Sequence, residues 1–184
     1  MPGIPCGQEA ILVCEPSVTG LAPAMAAPFR LLFVCLGNIC RSPAAEGVMR
    51  ALIETKGFAD RVIIRSAGTG GWHAGKLPDQ RMRTAAQNRG YNLNSRARQV
   101  TENDLQDYDL VLVMDRQNLR DVRYYDRASQ FDSKIRLFCD FCTDHQESEV
   151  PDPYYGGEQG FELVLDLLED GCRGVLAHIS SALA

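Results

Sequence analysis

The sequence predicts an α/β fold, with a parallel sheet covered by helices on both faces. From Phe29 onwards, short apolar segments alternate with helical segments, which favours right-handed crossovers between parallel strands. The first apolar segment is interrupted only by Arg30, as expected for a strand buried on both faces. A chain of 184 residues with 45% hydrophobic content suits one domain with a single core.

Four strands are predicted, and each is a short apolar segment bounded by polar residues or glycine. They cover residues 29–34, 62–65, 110–114 and 135–138. The helices between them are marked by capping residues and stops. Ser42 and Pro43 read as the N-cap and first position of a helix that runs to Lys56 and stops at Gly57.

Further along the chain, a helix is predicted over residues 79–89, ending at Gly90. Residues 101–104 resemble a short capped turn, and a short polar helix begins near Gln117. The last helix covers about residues 161–178, where Gly171 and Gly174 could bend or interrupt it. Because ligands of such sheets lie beyond the carboxyl ends of the strands, the loop after the first strand is the first candidate site.

Residues 1–28 are predicted to be a mostly irregular extension, and residues 29–184 the domain. The extension carries five prolines and only two charged residues, Glu9 and Glu15. Met25 is an alternative start of the protein. The first basic residue is Arg30, so we expect no secretory signal, and no apolar segment approaches the roughly 20 residues of a membrane span.

Charge and cysteine content argue against a nucleic-acid-binding protein and against a disulfide-stabilised secreted protein. The formal net charge of -5 gives no reason to expect nucleic-acid binding, and any phosphate site must be made locally by amides and a few cations. Seven cysteines, an odd number without an export signal, argue against a disulfide framework and favour a reducing compartment, the cytoplasm.

The loop after the first strand reads Cys35-Leu36-Gly37-Asn38-Ile39-Cys40-Arg41-Ser42. A loop at a helix N-terminus presents unpaired amides and the positive end of the helix dipole to an anion. Gly37 permits a backbone conformation closed to other residues, and Asn38 tolerates left-handed geometry and can brace the loop. Arg41 can fork onto two phosphate oxygens. The same groups, with the Ser42 hydroxyl, would stabilise a thiolate at Cys35.

The spacing of Cys35 and Arg41 is weak evidence by itself, because a cysteine at a strand end is often simply packed. The preceding strand, the internal glycine and the Ser-Pro helix start favour an oxyanion site. No Gly-Lys-Ser/Thr occurs, which excludes a Walker loop. A general acid for a leaving group is Asp152, which lies between Pro151 and Pro153. The alternative for Asp152 is a plain turn before the last helix.

The segment from Phe33 to Pro43 closely resembles the signature of the low-molecular-weight protein tyrosine phosphatases. Asp152-Pro153-Tyr154-Tyr155 resembles the general-acid loop of that family. Ser66-Ala67-Gly68-Thr69 with Trp72, Ala97-Arg98-Gln99-Val100, and Met114-Asp115 with Asn118-Leu119 are also similar to family segments. The resemblance covers about residues 29–180.

The resemblance implies a four-stranded parallel sheet flanked by helices on both faces, a flavodoxin-like three-layer fold. It implies hydrolysis of phosphotyrosine and small aryl phosphates by Cys35 attack, a phosphocysteine intermediate, and Asp152 as acid and then base. Arg41 and the loop residues 36–42 would bind phosphate, and neither metal nor cofactor is needed. Trp72, Tyr154 and Tyr155 resemble the walls of the substrate cleft. The implied partners are tyrosine-phosphorylated proteins, with no nucleic acid or membrane, and the chain would be a monomer or weak dimer.

Several residues carry narrower expectations. Ile39 favours phosphotyrosine, because family members that act on phosphoarginine tend to carry Thr at that place. Cys40 resembles a second loop cysteine that forms a reversible disulfide with Cys35, although it could be a small buried residue. Asp115 either holds Arg41 or caps the helix near Gln117. His73 could line the cleft, whereas His178 suits the end of the last helix.

The sequence leaves three other functional interpretations open: a zinc site, an arsenate reductase and a non-catalytic phosphate-binding module. Cys139 and Cys142 with His145 look like half of a zinc site, for which Cys172 is the only obvious fourth ligand. Arsenate reductases of the same fold share the nucleophile loop and use additional cysteines, but they generally lack the Asp-Pro-Tyr-Tyr pattern. A non-catalytic phosphate-binding module would require the loss of Cys35 or Asp152, and both residues are present.

Overall fold

A computed structural model of the chain describes residues 27–183 and Gly3. The predicted irregular extension therefore lies almost entirely outside the described residues. Among the helices of the described part, none has the length and apolar character that crossing a membrane requires.

One sheet of four parallel strands forms the centre of the fold, in the order β2-β1-β3-β4. Its strands are β1 (Phe29–Cys35), β2 (Val62–Gly68), β3 (Leu110–Val113) and β4 (Ile135–Leu137). All four predicted strands are present, and the predicted α/β class with a parallel sheet is confirmed. β1 lies between β2 and β3 and is buried from Leu31 onwards, which explains its nearly unbroken apolar sequence.

Five α-helices cover the sheet: α1 (Arg41–Thr55), α2 (Gln80–Asn88), α3 (Glu102–Asp107), α4 (Arg116–Arg123) and α5 (Glu158–Leu183). Two short 3₁₀ helices cover Asp132–Lys134 and Phe138–Phe141. Alternate residues of β1 enter two cores. Leu31 and Phe33 pack with α1, α2 and α5, whereas Leu32 and Val34 pack with α3 and α4. The predicted cover on both faces is therefore present.

Several predicted boundaries differ from the structure, and β2 runs three residues beyond its predicted end at Arg65, to Gly68. Helix α1 begins at Arg41 with Cys40 at the N-cap position, so Ser42 is not the N-cap; its hydroxyl faces the end of β1 instead. Strand β4 stops at Leu137, because the chain turns into a 3₁₀ helix at the next residue. Helix α5 begins before the predicted start and continues without interruption through Gly171 and Gly174.

Gly171 and Gly174 in α5 serve packing and do not end the helix. A Cβ at Gly171 would overlap the ring of Phe138, and a Cβ at Gly174 would overlap the carbonyl oxygen of Phe141. Both positions let the 3₁₀ helix Phe138–Phe141 lie directly against α5. Local propensity indicates a weak point in the helix, but the tertiary contact determines the residue type.

The strand order fixes where a ligand can enter. The chain crosses from β1 to β2 on one side and later to β3 on the other side, so the connections diverge between β1 and β3. This divergence opens a crevice at the carboxyl ends of those two strands. Cys35 is the last residue of β1 and therefore lies at the floor of that crevice.

Candidate active site

The loop from Cys35 to Arg41 turns its carbonyl oxygens outward. Three outside N–H groups hold them: Thr69 N donates to Cys35 O at 2.8 Å, Gly70 N donates to Leu36 O at 2.9 Å, and Asp79 N donates to Ile39 O at 2.7 Å. In a trans peptide the N–H points opposite to the carbonyl. The amides of the following residues, Leu36, Gly37 and Cys40, therefore point into the crevice and form an anion cradle at the start of α1.

Asn38 provides the left-handed residue of the loop, with φ of 54°. Its side-chain oxygen accepts from Arg98 N at 3.0 Å, and its amide nitrogen donates to Ser42 Oγ at 2.8 Å and Ser66 Oγ at 2.9 Å. The sequence-based expectation for this residue, tolerance of left-handed backbone together with bracing of the loop, is confirmed.

The expectation that Gly37 adopts a conformation closed to other residues is wrong, because φ is not positive at this glycine. Instead, the absence of a side chain at Gly37 makes room for the His73 ring, because a Cβ at this position would lie only 3.0 Å from Cδ2 of His73. Gly68 has a similar use at the end of β2, where a Cβ would lie 2.8 Å from Leu36 O. Both glycines let neighbouring segments close tightly around the cradle.

Cys35 is 2% exposed, and its sulfur has two neighbouring donors. Asn38 N donates to Sγ at 3.3 Å, and Ser42 Oγ lies 3.1 Å from it. Ser42 Oγ accepts from Asn38 Nδ2 and donates its single proton to Ala67 O at 3.1 Å. That proton can turn from the carbonyl to the sulfur when the sulfur is negatively charged. A negative sulfur would therefore be met by two hydrogen-bond donors.

A buried carboxylate supports this arrangement from below, and the sequence analysis did not identify it. Glu46 on α1 is 4% exposed; its Oε2 accepts from Ser66 Oγ at 2.6 Å, and its Oε1 accepts from Arg50 Nη2 at 2.6 Å. Since Ser66 donates to Glu46, it must accept from Asn38. The only signal in the sequence was an acid that directly follows Pro43, Ala44 and Ala45 in the first half of α1.

Arg41 is almost completely buried, and its guanidinium donates hydrogen bonds to three oxygen atoms. Nη1 donates to Asp115 Oδ2 at 2.5 Å and to Val150 O at 3.2 Å, and Nη2 donates to Asp152 Oδ2 at 2.9 Å. Burial opposes the positive charge, but Cys35, Asp152 and Asp115 outweigh it and raise the pKa of the guanidinium. Arg41 is therefore a fixed cation at the floor of the crevice.

Asp115 both holds Arg41 and caps α4, the two roles that the sequence left as alternatives. Its Oδ2 pairs with Arg41, and its Oδ1 accepts from Asn118 N at 2.7 Å, as an N-cap of α4 does. One carboxylate thus links the carboxyl end of β3, the start of α4 and the candidate phosphate-binding arginine.

Asp152 lines the same crevice as Cys35, on a loop that other segments hold in place. Val150 N donates to Met114 O at 2.8 Å, which ties the loop to the end of β3. Tyr154 N donates to Asp152 Oδ1 at 3.2 Å, and Arg81 Nη1 donates to Tyr154 O at 3.1 Å. The carboxylate is 39% exposed, so it can reach both Arg41 and a bound molecule.

The crevice encloses a cleft of about 330 Å³ with polar groups at its floor and aromatic side chains at its rim. Trp72 is 62% exposed and Tyr155 is 95% exposed. Such a shape accepts an anionic group attached to a flat ring. The lining brings together the predicted loop, acid and aromatic residues and adds His73: Cys35, Leu36, Gly37, Ile39, Cys40, Arg41, Trp72, His73, Asp152, Tyr154 and Tyr155.

Cys40 borders the same cleft but differs chemically from a nucleophile. Its side chain is buried, and burial, reinforced by Asp79, raises the pKa of its thiol. Cys40 therefore keeps its proton under ordinary conditions. Neither the cysteines further along the chain nor His145 approach this cleft.

The candidate zinc ligands have other partners in the structure. Cys172 is fully buried, with its Sγ 3.9 Å from Ala45 O, and His145 Nδ1 lies 3.1 Å from the buried Asp170 carboxylate. Within residues 27–183 and Gly3, no group of three or more His, Cys, Asp or Glu side chains is arranged to hold a metal ion.

Comparison with known proteins adds independent evidence. The family model described as low molecular weight phosphotyrosine protein phosphatase matches residues 30–183. A Synechocystis sp. protein with the same family description is 47% identical over 154 residues, which is 84% of this chain and 98% of that protein. The low molecular weight protein-tyrosine-phosphatase of Streptomyces coelicolor is 40% identical and spans 82% of this chain and 93% of its own length.

A solved structure is similar in fold as well as in sequence. The crystal structure of a protein tyrosine phosphatase from Entamoeba histolytica, with Hepes in its active site, superposes with a TM-score of 0.81 at 42% identity. The similarity covers 85% of this chain and 99% of that chain.

Proposed function

Because the chain belongs to the low molecular weight phosphotyrosine protein phosphatase family, we propose that Cys35, Arg41 and Asp152 carry out its reaction. The protein is a metal-independent protein-tyrosine phosphatase that hydrolyses phosphotyrosine through a phosphocysteine intermediate. The observation that carries the assignment of residues is the meeting of these three side chains in one cleft, although Arg41 and Asp152 are 111 residues apart in sequence. We assign this phosphatase domain to residues 29–184.

In the first step, the Cys35 thiolate attacks phosphorus in line with the leaving phenol oxygen. The amides of the cradle and the Arg41 guanidinium bind the three equatorial oxygens, which gain charge in the transition state. Asp152 donates its proton to the phenol oxygen as the bond to phosphorus breaks. The products of this step are phosphocysteine, free tyrosine and an ionised Asp152.

In the second step, the Asp152 carboxylate removes a proton from a water molecule that attacks the phosphocysteine. The sulfur leaves as a thiolate, which Asn38 N and the Ser42 hydroxyl stabilise from 3.3 and 3.1 Å. Inorganic phosphate is released, and the cycle restores both the thiolate and the protonated Asp152. The remaining loop residues, Leu36 to Ser42, hold the phosphate throughout.

Arg41 must exchange one partner when a phosphate group enters. Its Nη1 stays with Asp115 and Val150 O, while Nη2 leaves Asp152 and donates to a phosphate oxygen. The exchange frees the Asp152 carboxyl group to take up the proton that the leaving phenol requires. Substrate binding thus prepares the acid, because the cation and the acid cannot remain paired once phosphate occupies the cleft.

The rim of the cleft favours an aromatic substrate. Trp72, Tyr154 and Tyr155 offer ring faces at the height where a phenyl group would lie, and such contacts typically contribute about 0.5–1.5 kcal/mol beyond burial. A sulfonate is a tetrahedral oxyanion similar in shape to phosphate, and the Entamoeba histolytica relative holds Hepes, a sulfonate, in its active site. Ile39 at the floor supports phosphotyrosine over phosphoarginine.

Three further proposals concern the protein as a whole. We infer a cytoplasmic location, supported by free thiols at all five cysteines of the described region. Cys40 borders the cleft of Cys35, which supports a protective disulfide between them under oxidation. Finally, we expect a monomer or weak dimer that acts on tyrosine-phosphorylated proteins, and sedimentation at several protein concentrations tests the oligomeric state.

The test compares the parent with Cys35→Ser and Asp152→Asn in the presence of EDTA, using p-nitrophenyl phosphate and a phosphotyrosine peptide. Cys35→Ser should lose turnover and should yield no phosphoenzyme after rapid quenching with ³²P-labelled substrate. Asp152→Asn should lose about 10²–10⁴-fold on phosphotyrosine, whose phenol leaves poorly without a proton, and less on p-nitrophenyl phosphate.

Asp144→Asn is the matched control, because Asp144 is a 65% exposed acid in the segment that leads to Asp152. It should retain the parent's turnover. Undiminished turnover by Cys35→Ser, or an equal loss from Asp152→Asn on both substrates, would contradict the assigned roles. A phosphoarginine peptide tests the expectation from Ile39 that phosphotyrosine is the preferred substrate. Arsenate reduction with thioredoxin, without phosphatase activity, would instead favour the arsenate reductase alternative.

A further inference from the structure

A second pair of cysteines, Cys139 and Cys142, lies in one tight turn away from the catalytic cleft. Cys142 N donates to Cys139 O at 3.1 Å, which closes an i to i+3 turn around Asp140 and Phe141. The end residues of such a turn have Cα atoms within about 7 Å, and side chains three apart in a 3₁₀ helix eclipse each other. A disulfide needs Cα atoms about 4.4–6.8 Å apart, so the backbone already has a suitable span.

The turn is held rigidly against helix α5. Gly171 lets the Phe138 ring and the Cys142 sulfur approach the helix, since a Cβ there would overlap the ring and lie 3.2 Å from Sγ. Gly174 leaves room for the Phe141 carbonyl oxygen in the same way. Because the backbone is fixed, the two thiols stay close together without a folding step that brings them into contact.

The two thiols differ in exposure and acidity. Cys142 is partly exposed, whereas Cys139 is 9% exposed. Cys142 Sγ also lies 3.7 Å from Leu167 O. Interaction with the Cys139 thiol lowers the pKa of Cys142, and the same interaction together with burial raises the pKa of Cys139. Such a difference defines an attacking sulfur and a resolving sulfur.

We propose that Cys139 and Cys142 are a thiol–disulfide exchange site, which a low-molecular-weight disulfide of the glutathione type oxidises to an intramolecular disulfide. The Cys142 thiolate attacks one sulfur of the small disulfide, forms a mixed disulfide and releases one thiolate. Cys139 then gives up its proton and attacks Cys142 Sγ, which releases the second thiolate. Both released thiolates end as thiols, so two protein thiols are oxidised while one small disulfide is reduced.

The experiment incubates the full-length protein with oxidised glutathione, alkylates the remaining thiols and maps each cysteine by fragmentation mass spectrometry. Cys139 and Cys142 should become protected together, as one internal disulfide. Cys139→Ser should stop at a stable glutathione adduct on Cys142, whereas Cys142→Ser should leave Cys139 as a free thiol. The buried Cys172 in the same tryptic peptide should stay reduced and serves as an internal reference.

Repeating the experiment with Cys35→Ser separates this site from the catalytic cleft. The same disulfide should form, because Cys35 takes no part in the exchange. The proposal is overturned if both thiols remain alkylatable in the parent or if the mixed disulfide on Cys142 persists there. It is equally overturned if Cys142→Ser forms the adduct at Cys139, or if the disulfide requires Cys35. Unchanged phosphatase activity of the reduced Cys139→Ser and Cys142→Ser variants shows that both are folded.

Discussion

Asp170→Asn tests how the segment that leads to the proposed acid is held. The Asp170 side chain on α5 has no exposed surface. Its carboxylate accepts from the backbone N–H groups of Thr143, Asp144 and His145 at 2.9–3.2 Å, and from Thr143 Oγ1 at 3.1 Å. One buried charge thus satisfies three successive amides at the point where the chain leaves the 3₁₀ helix Phe138–Phe141.

The expected destabilisation follows from these contacts. Asparagine preserves the shape and one acceptor oxygen, but its NH₂ group faces N–H donors. At least one buried donor then loses its partner, at about 1–3 kcal/mol, and the remaining hydrogen bonds lose the contribution of a charged acceptor. We therefore expect the free energy of unfolding to fall by about 3 kcal/mol at pH 7.

Urea unfolding measures this loss, with Asp166→Asn as the matched control. Asp166 lies one turn earlier on α5, is 48% exposed and pairs with Arg89 at the surface, so its loss should cost under about 1 kcal/mol. Equal unfolding free energies for parent and Asp170→Asn would refute the reasoning, as would an equal loss in both variants.

The pH dependence gives a second test of the same residue. Burial alone would raise the pKa of Asp170, but the N–H groups of Thr143 and Asp144 and the His145 side chain hold it below the usual range. A carboxyl group with a lowered pKa in the folded state stabilises the fold at pH values above its unfolded pKa, about 3.9. The difference between parent and variant should therefore be constant near neutrality and shrink as pH falls below about 4.

Three further substitutions probe other contacts. Asn38→Ala removes both donors that brace the loop and places alanine at φ of 54°, so kcat/KM for p-nitrophenyl phosphate should fall at least about tenfold; an unchanged value would contradict the bracing role. Gly68→Ala should also lower kcat/KM at least about tenfold, because its Cβ would press on Leu36 O from 2.8 Å; full activity would refute this. Gly174→Ala should lower the unfolding free energy by about 1–3 kcal/mol in urea with kcat retained, because its Cβ would overlap the Phe141 carbonyl; a more stable variant would show that helix propensity dominates.

The parts of the site that sequence reasoning predicted from the residues alone are local in sequence. Cys35, Asn38 and Arg41 lie in one loop, and the strand before it and the helix after it are visible as patterns within about twenty residues. The physical needs of an anion site therefore appear as adjacent residue types. The exact start of α1 was less predictable, because the Ser42 hydroxyl can either cap the helix or contact the Cys35 sulfur. In the structure it contacts the sulfur.

The parts that sequence reasoning missed depend on contacts between distant segments. Glu46 in α1 was not identified, and the segments of Ser66 and Arg98 were noted only for their family resemblance, without the contacts that these residues make with Asn38. Gly171 in α5 was interpreted as a possible helix interruption, because propensity is a local quantity and the Phe138 ring it accommodates comes from another part of the chain. The pairing of Arg41 with Asp152 was not predicted, since spacing over 111 residues carries no geometric information. The family resemblance implied only that both residues belong to one site.

Arg41 links the two halves of the proposed mechanism through the backbone of a single residue, Val150. Val150 N donates to Met114 O at the end of β3, and Val150 O accepts from Arg41 Nη1. The cation that would bind phosphate therefore also anchors the loop that carries Asp152, two residues further on. A lysine at this position would have one nitrogen and no planar fork, so it could not hold Asp115 and the Val150 carbonyl on one side while facing phosphate on the other. The requirement for arginine thus comes from the position of the acid as much as from the charge of the substrate.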